Sequence, residues 1–344
     1  MKSIILRFLE FRIALEAPHS ICEQIIELGH PYFIQENSNS SGLIDLQIRF
    51  EIRPDTYGEL MKNKQAGRNI ELHAGMVGVY LSSEIHHQVV VNEKQMIVII
   101  PRIGQEKNLN VIVYELLSGH ALELFRLIRG IFIAYAERSG KYIRGHAAGI
   151  KINNEVFLIL GSKGAGKTSF LTTALKTGAN VSLITNDKCL IDREGNIWGL
   201  PYAVTISPES IYDCPEIQLR DTVGTTETGK HMFWPSKFAS AFGAGILQGG
   251  KLNAIIVPSI DLLKDKVCIS KLTLAESIPY IELLYQDKDK MNPKWLIELL
   301  NIAIDHNTSQ KPRMEMFDSY SCAGNPWKEE WVLKLMGGFL YGST

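Results

Sequence analysis

Eight consecutive residues, Gly161–Thr168, have the types and spacing of a loop that binds a polyphosphate. The stretch reads GSKGAGKT and matches the pattern G-x-x-x-x-G-K-[ST]. Glycines let backbone N–H groups approach phosphate oxygens without a Cβ clash, and the following helix adds N–H donors and the positive end of its dipole. In this pattern the lysine, here Lys167, contacts the β- and γ-phosphates, and the hydroxyl of Thr168 ligates Mg²⁺. The predicted ATP-binding residues are Gly161, Ser162, Lys163, Gly164, Ala165, Gly166, Lys167, Thr168 and Ser169.

The residues on either side of this loop predict the elements that position it. Val156–Leu160 is a short apolar run typical of a buried strand, and Ser169–Lys176 predicts a helix that Gly178 ends. Before the strand, Tyr142–Ile152 alternates in part between apolar and polar residues, and two asparagines after it favour a turn. We therefore predict a β-hairpin that leads into the loop.

A phosphoryl-transfer site also needs a carboxylate for Mg²⁺ and a group that orients or deprotonates the attacking hydroxyl. Val181–Asp187 predicts an apolar strand that ends in a carboxylate, and strand ends form the ligand crevice of a parallel sheet. Asp261 is the alternative carboxylate, although Pro258 is predicted to break the strand before it. His146 lies on the predicted hairpin, which would bring it beside the phosphates. The candidate catalytic residues are His146, Asp187 and Lys167, and the candidate metal ligands are Thr168 and Asp187. By its spacing alone, a single histidine on a strand is more often a packed or surface residue, so His146 is the weakest of these candidates.

The length of 344 residues allows two domains. Residues 1–140 predict a β-rich N-terminal domain, with a strand at Leu46–Ile52 and a closing helix at Ser118–Ser139 that would bridge the two domains. Residues 141–344 predict an α/β domain around the phosphate loop, with a helical C-terminal tail. In that tail, residues 294–304 predict a helix, and Trp331 is expected to pack against the domain.

Composition argues against several other classes of protein. The 36 basic residues nearly balance the 37 acidic ones, so the sequence carries no electrostatic signature of a nucleic-acid partner. Five scattered cysteines without C-x-x-C spacing favour reduced thiols over disulfides or a zinc site. The N-terminus lacks a signal-peptide pattern and no apolar stretch is long enough for a membrane span. We expect a cytoplasmic protein without a membrane partner.

Several motifs together resemble the HPr kinase/phosphorylase family over residues 142–262. They are Gly145–Ala148, Val156–Gly161, the phosphate loop, Gly178-Ala179, Thr185–Asp187, Thr228–Lys230, Pro235–Phe238, Ala241–Gly243 and Ile255–Asp261. Some divergent members of this family phosphorylate a serine of a lasso-peptide precursor. The first 115 residues do not match the regulatory domain of the HPr enzymes.

This resemblance implies an α/β P-loop kinase domain related to the nucleotide domain of phosphoenolpyruvate carboxykinase. It implies ATP with Mg²⁺, transfer of the γ-phosphoryl group to a serine of a peptide or small protein, and a homo-oligomer. By motif, His146 takes the position of the family histidine near the transferring phosphate. The family's paired acidic residues align with Asn186 and Asp187, so an amide occupies the first acidic position. Because an amide cannot act as a general base, the proton would go to Asp187, to His146 or to another group.

The sequence is also consistent with two functions other than a kinase. Loss of one acidic residue at Asn186 is also consistent with a nucleotide-binding regulator or scaffold that transfers no phosphate. A motion-coupled ATPase is a third class, for which Ile246–Gly250 resembles only faintly the required L-S-G-G-Q signature.

Overall fold

The computed structural model describes most of the chain as a mixed α/β protein. The described residues are 1–36, 42–62, 67–73, 76–82, 86–91, 96–101, 108–162, 164–177, 180–212, 214–226, 228–260, 267–285, 312–325 and 330–336. They form two compact units, one up to Gly140 and one from Lys141 onwards. Lys163, Gly178, Asp261 and the helix predicted at 294–304 lie outside the described residues.

The first unit is built on a mixed sheet in the order β3-β1-β2-β4-β9-β8-β7-β6-β5 within the described residues. The strand predicted at Leu46–Ile52 is confirmed as β4, where buried Leu46, Ile48 and Phe50 alternate with the exposed Gln47 and Arg49. The strands of this unit are β1 Lys2–Phe8, β2 Phe11–Ala17, β3 Ile34–Glu36, β4 Leu46–Ile52, β5 Arg68–His73, β6 Met76–Ser82, β7 His86–Val91, β8 Met96–Pro101 and β9 Asn108–Val113.

Three helices belong to this unit: α1 His19–Gly29, α2 Pro54–Lys62 and α3 His120–Arg138. Helix α3 is the one predicted at Ser118–Ser139, and it is buried on more than one face. The ring of Phe132 on α3 lies 5.7 Å from that of Phe8 and 4.9 Å from that of Phe33. These aromatic contacts pack α3 against the sheet of its own unit.

The second unit contains the phosphate loop and is organised around a second mixed sheet. Its described strands run in the order β10-β14-β15-β20-β12-β11-β13-β19, with β22 beside β20 and β21 beside β22, and β16-β18-β17 form a small separate sheet. The strands are β10 Tyr142–His146, β11 Ala148–Ile152, β12 Glu155–Ile159, β13 Val181–Thr185, β14 Lys188–Asp192, β15 Asn196–Gly199, β16 Val204–Ile206, β17 Gly224–Thr225, β18 His231–Phe233, β19 Gly245–Ile246, β20 Gly249–Ile260, β21 Cys268–Lys271 and β22 Asp318–Gly324. The helices are α4 Lys167–Lys176, α5 Pro208–Tyr212, α6 Pro235–Ala241, α7 Leu274–Tyr285 and α8 Glu330–Met336.

Strand β12, which leads into the phosphate loop, is buried on both faces. Phe157 and Ile159 belong to a core that includes residues of α4, α6 and α8. Val156 and Leu158 point the other way, into a core shared with β14, β15 and α7. Burial on both faces explains why the sequence shows a continuous apolar run here rather than an alternating one.

The strand directions bring several strand ends to one edge of this sheet. β11 is antiparallel to both β12 and β13, so these two strands are parallel to each other although they are not neighbours. β20 is parallel to β12, and β22 is parallel to β20. The carboxyl ends of β12, β13, β20 and β22 therefore share an edge, with the phosphate loop following β12.

The prediction that Pro258 breaks its strand is wrong, because β20 continues through it to Ile260. The carbonyl of Ile256 accepts a hydrogen bond from the backbone N–H of Leu160, so Ile256 faces the strand β12. Pro258, two residues later, faces the same side beyond the end of β12. Its missing N–H costs no ladder hydrogen bond there, which is the setting that proline tolerates in a sheet.

Helix α8 covers the back of the phosphate-loop helix through Trp331. This side chain is fully buried, as expected from the sequence, and its ring lies 5.0 Å from that of Phe170 on α4. We predict that Trp331→Ala lowers the free energy of unfolding by about 3 kcal/mol, because it leaves a large cavity in the core. Urea denaturation would measure the loss.

The matched control is Leu333→Ala on the same helix, where the side chain is 56% exposed. It should change the free energy of unfolding by less than about 0.5 kcal/mol. Equal losses for the two variants would contradict a core role for Trp331.

Candidate active site

The loop between β12 and α4 adopts a backbone that its glycines make accessible. Gly164 and Gly166 have φ angles of +87° and +90°, in the left-handed region that side chains disfavour. A Cβ on Gly161 would lie 2.7 Å from the Cβ of Ala165, closer than packing allows. The N–H of Ala165 donates to the carbonyl of Ser162 over 3.1 Å and closes a turn inside the loop. The glycine spacing is therefore a requirement of this backbone.

The side chain of Lys167 lies inside the loop and bonds to its backbone. Its side chain is 9% exposed, and its Nζ donates to the carbonyls of Gly161 at 2.7 Å and Ser162 at 3.2 Å. Lys167 is also the first residue of α4, where the first N–H groups have no partner within the helix. The loop thus combines a positive charge with a helix N-terminus, and both favour an anion.

Two chain corners lie beside this loop. One is at Ala147, between β10 and β11, and the other is at Asn186 and Asp187, between β13 and β14. The N–H of Ala147 donates to the carbonyl of Asp187 over 3.0 Å, which joins the corners. Because Ala148 pairs with Ile159 at the end of β12, the joined corners lie next to the start of the phosphate loop.

At the first corner, the strand that carries His146 differs from the predicted one. The sequence placed His146 on the hairpin strand that pairs with the phosphate-loop strand, but β11 forms that hairpin. His146 is the last residue of β10, which instead pairs with β14 so that His146 lies opposite Lys188. The side chain of His146 is 25% exposed.

The two residues of the second corner have different neighbours. Asn186 is 7% exposed, and its Oδ1 lies 3.4 Å from Oγ1 of Thr168 at the start of α4. Oδ1 of Asp187 lies 3.4 Å from Nδ1 of His146. The structure thus places Asn186, the residue that departs from the family pattern, beside the threonine predicted to ligate Mg²⁺.

The pair of Thr168 and Asn186 fits a Mg²⁺ ion. Mg²⁺ takes oxygen ligands at about 2.1 Å in an octahedron, so adjacent ligand oxygens lie about 3 Å apart, close to the observed separation. Protein sites usually give it one or two ligands and leave the rest to phosphates and water. Within the described residues no cluster of three or more His, Cys, Asp or Glu side chains could hold a metal ion. With two protein oxygens, a Mg²⁺ ion here would take its remaining ligands from phosphates and water.

A lysine that is not among the predicted site residues also lies at this corner. Lys188 is only 4% exposed, and its Nζ lies 3.0 Å from Nδ1 of His146. The hydroxyl of Thr185 donates to the carbonyl of Lys188 and holds the turn around Asn186 and Asp187. Lys188 directly precedes the apolar run Cys189–Ile191, and this position indicates that it is buried. A buried ammonium requires a polar partner, so the sequence already indicated a contact of this kind.

The cysteine next to this corner takes no part in nucleophilic chemistry. Cys189 is fully buried, and its Sγ lies 3.8 Å from the carbonyl of Gly145. Burial raises the pKa of the Cys189 thiol to about 12, so the reactive thiolate is absent near neutral pH. All five cysteines of the chain are free thiols.

No protein-family model and no curated protein matches the chain. Among solved structures it is similar to the HPr(Ser) kinase/phosphatase from Coxiella burnetii, with 8% sequence identity and a TM-score of 0.29 over 58% of this chain and 95% of that chain. Within the described residues, no helix is long and apolar enough to cross a membrane.

Proposed function

We propose that the protein is an ATP-dependent kinase that phosphorylates a serine of a peptide or small protein. The observation that carries the proposal is the junction of the phosphate loop with a histidine–carboxylate pair at one edge of the sheet. Oγ1 of Thr168 lies 3.4 Å from Oδ1 of Asn186. Oδ1 of the next residue, Asp187, lies 3.4 Å from Nδ1 of His146. Phosphoryl transfer needs these groups together, since it depends on positioning and on charge stabilisation.

In this proposal each group of the site has a task in the transfer. The N–H groups of the loop and the ammonium of Lys167 hold the β- and γ-phosphates. Thr168 would hold Mg²⁺ together with Asn186, in place of the sequence-predicted Asp187, and the ion would supply positive charge against the phosphates. The serine Oγ forms a bond to the γ-phosphorus as the bond from that phosphorus to the β-phosphate oxygen breaks, and ADP leaves. The serine hydroxyl proton passes to Asp187 or to His146. The family resemblance of the motifs supports serine as the acceptor.

A direct transfer assay tests the proposal. The full chain is incubated with ATP, Mg²⁺ and the peptides encoded beside its gene, and mass spectrometry looks for a gain of one phosphoryl group on a serine. The product should require Mg²⁺ and an intact Lys167. Absence of any phosphorylated peptide, or a product that forms equally well without Lys167, would contradict the kinase proposal.

Asn186 supports one alternative of a different class, a nucleotide-binding regulator without transfer activity. An amide at the metal side of the site retains an oxygen ligand but provides no charge. This alternative predicts ATP binding with no turnover against any serine peptide. It also predicts that Asp187→Asn changes nucleotide affinity only.

The amide at position 186 gives a prediction on metal dependence. We expect Asn186→Asp to lower the Mg²⁺ concentration for half-maximal activity by about tenfold, because Mg²⁺ affinity rises with the charge of its ligands. A Mg²⁺ titration of the transfer rate at saturating ATP would measure the shift.

Gln218→Glu is the control, since it adds the same charge at an exposed position outside the site. It should leave the Mg²⁺ dependence as in the unmodified chain. An unchanged half-maximal concentration in Asn186→Asp would show that residue 186 does not face the metal.

A further inference from the structure

The buried Lys188 imposes a condition on the ring of His146. A lysine ammonium that is 4% exposed must have hydrogen-bond partners, because an unpaired buried charge is strongly disfavoured. Strands β10 and β14 pair in a register that sets His146 opposite Lys188, with 3.0 Å between Nδ1 and Nζ. Nδ1 of His146 is thus one of the atoms that accept a hydrogen bond from the ammonium.

The chemistry of the two groups decides where the imidazole proton lies. An ammonium carries three donors and no acceptor, so Nδ1 of His146 must accept from Lys188 through its lone pair. A neutral imidazole has one protonated and one unprotonated nitrogen, so its proton is then on Nε2. In the other neutral tautomer Nδ1 would direct its N–H at the ammonium, so that two hydrogen-bond donors would face each other 3.0 Å apart.

Asp187 also lies near Nδ1 of His146, but a hydrogen bond to its carboxylate would require that nitrogen to be protonated. Its Oδ1 lies 3.4 Å from Nδ1 and would bond to it only if Nδ1 carried a proton. The contact with Lys188 is within the usual range for a nitrogen hydrogen bond, whereas 3.4 Å lies beyond it. The observed geometry therefore favours the arrangement with Lys188.

We propose that Lys188 is a positioning residue that holds His146 as the neutral tautomer with its proton on Nε2. The consequence for catalysis rests on the proposed kinase function. In that tautomer Nε2 of His146 carries a proton, so it would donate to a phosphate oxygen and would not accept the serine proton. Asp187 is then the group that receives the proton.

The test reads the tautomer directly by NMR and requires no activity. The full chain is labelled with ¹⁵N-histidine, and long-range proton–nitrogen correlations are recorded at about pH 8, where an imidazole of ordinary pKa is neutral. Comparison with His146→Gln assigns the ring. We expect Nε2 to show the shift of a protonated nitrogen and Nδ1 that of an unprotonated one. The reverse pattern in the unmodified chain would overturn the proposal.

Lys188→Met keeps the length and apolar stem of the side chain and removes its charge. We expect the ratio of the two tautomers to shift by about tenfold or more towards Nδ1–H facing Asp187, since a charged donor forms one of the stronger hydrogen bonds. Lys151→Met on β11 is the matched control and should leave the ring unchanged. A His146 ring that stays in the Nε2–H tautomer in Lys188→Met would also overturn the proposal. These signals are independent of phosphoryl transfer, so an inactive protein would contradict the kinase function without affecting the tautomer result.

Discussion

Replacing Lys167 with methionine is expected to lower kcat for phosphoryl transfer by about 10³-fold. The ammonium is the one cation within the described phosphate loop, and it lies against the loop carbonyls at 2.7 Å and 3.2 Å. In our proposal it moves from these carbonyls to the phosphate oxygens when ATP binds. A single-turnover assay with saturating ATP would measure the loss, because it reports the chemical step separately from product release.

Lys151→Met provides the control for removal of a lysine charge from the same unit. It should keep a transfer rate close to that of the unmodified chain. Because Lys167 also donates to the carbonyls of Gly161 and Ser162, thermal unfolding of the variant without ATP must be measured alongside the rate. A folded Lys167→Met protein with near-normal kcat would exclude the assigned role.

The second large effect is expected from Asp187→Asn, which should lower kcat by about 10³-fold and leave the affinity for ATP nearly unchanged. The substitution keeps the shape of the side chain but removes its ability to accept the serine proton. The carboxylate is 36% exposed, so it is accessible to an acceptor hydroxyl. Calorimetric titration of ATP together with the transfer rate would separate binding from chemistry.

Asp318→Asn is the control for a lost carboxylate, since that side chain is 52% exposed and pairs with Lys271 at 2.8 Å. It should not change the rate, because exposed ion pairs contribute little. Near-normal transfer in Asp187→Asn would instead assign proton transfer to His146. A change in ATP affinity without any measurable transfer in either protein would favour the regulator over the kinase.

The elements closest to the phosphate loop were predictable because their signals are local. The apolar run at Val156–Leu160 and the residues after the loop gave the strand β12 and the helix α4, to within two residues at the helix start. The turn between β14 and β15 is likewise a local feature of Asp192–Gly195, where Asp192 Oδ1 accepts a hydrogen bond from the N–H of Glu194. Each of these features depends on backbone preferences within one short segment.

The pairing of strands could not be read in the same way. Pro258 indicated a break from its own chemistry, yet the end of β12 two residues earlier makes it harmless in β20. The sequence predicts His146 on the hairpin because it is adjacent to it in the chain, while the partner of β10 is β14, which lies about forty residues further on. A strand's neighbours depend on long-range register, and a single sequence carries little information about it.

The sequence alone predicts a phosphate-binding loop between a buried strand and a helix, with carboxylate, amide and histidine groups nearby. Which of these groups lies beside which follows from the fold. The joined corners set Asn186 beside Thr168 and Asp187 beside His146, and the register of β10 with β14 added Lys188. The physical reason is that adjacent residues of a turn can project towards different neighbours, and those neighbours come from strands that are distant in the chain.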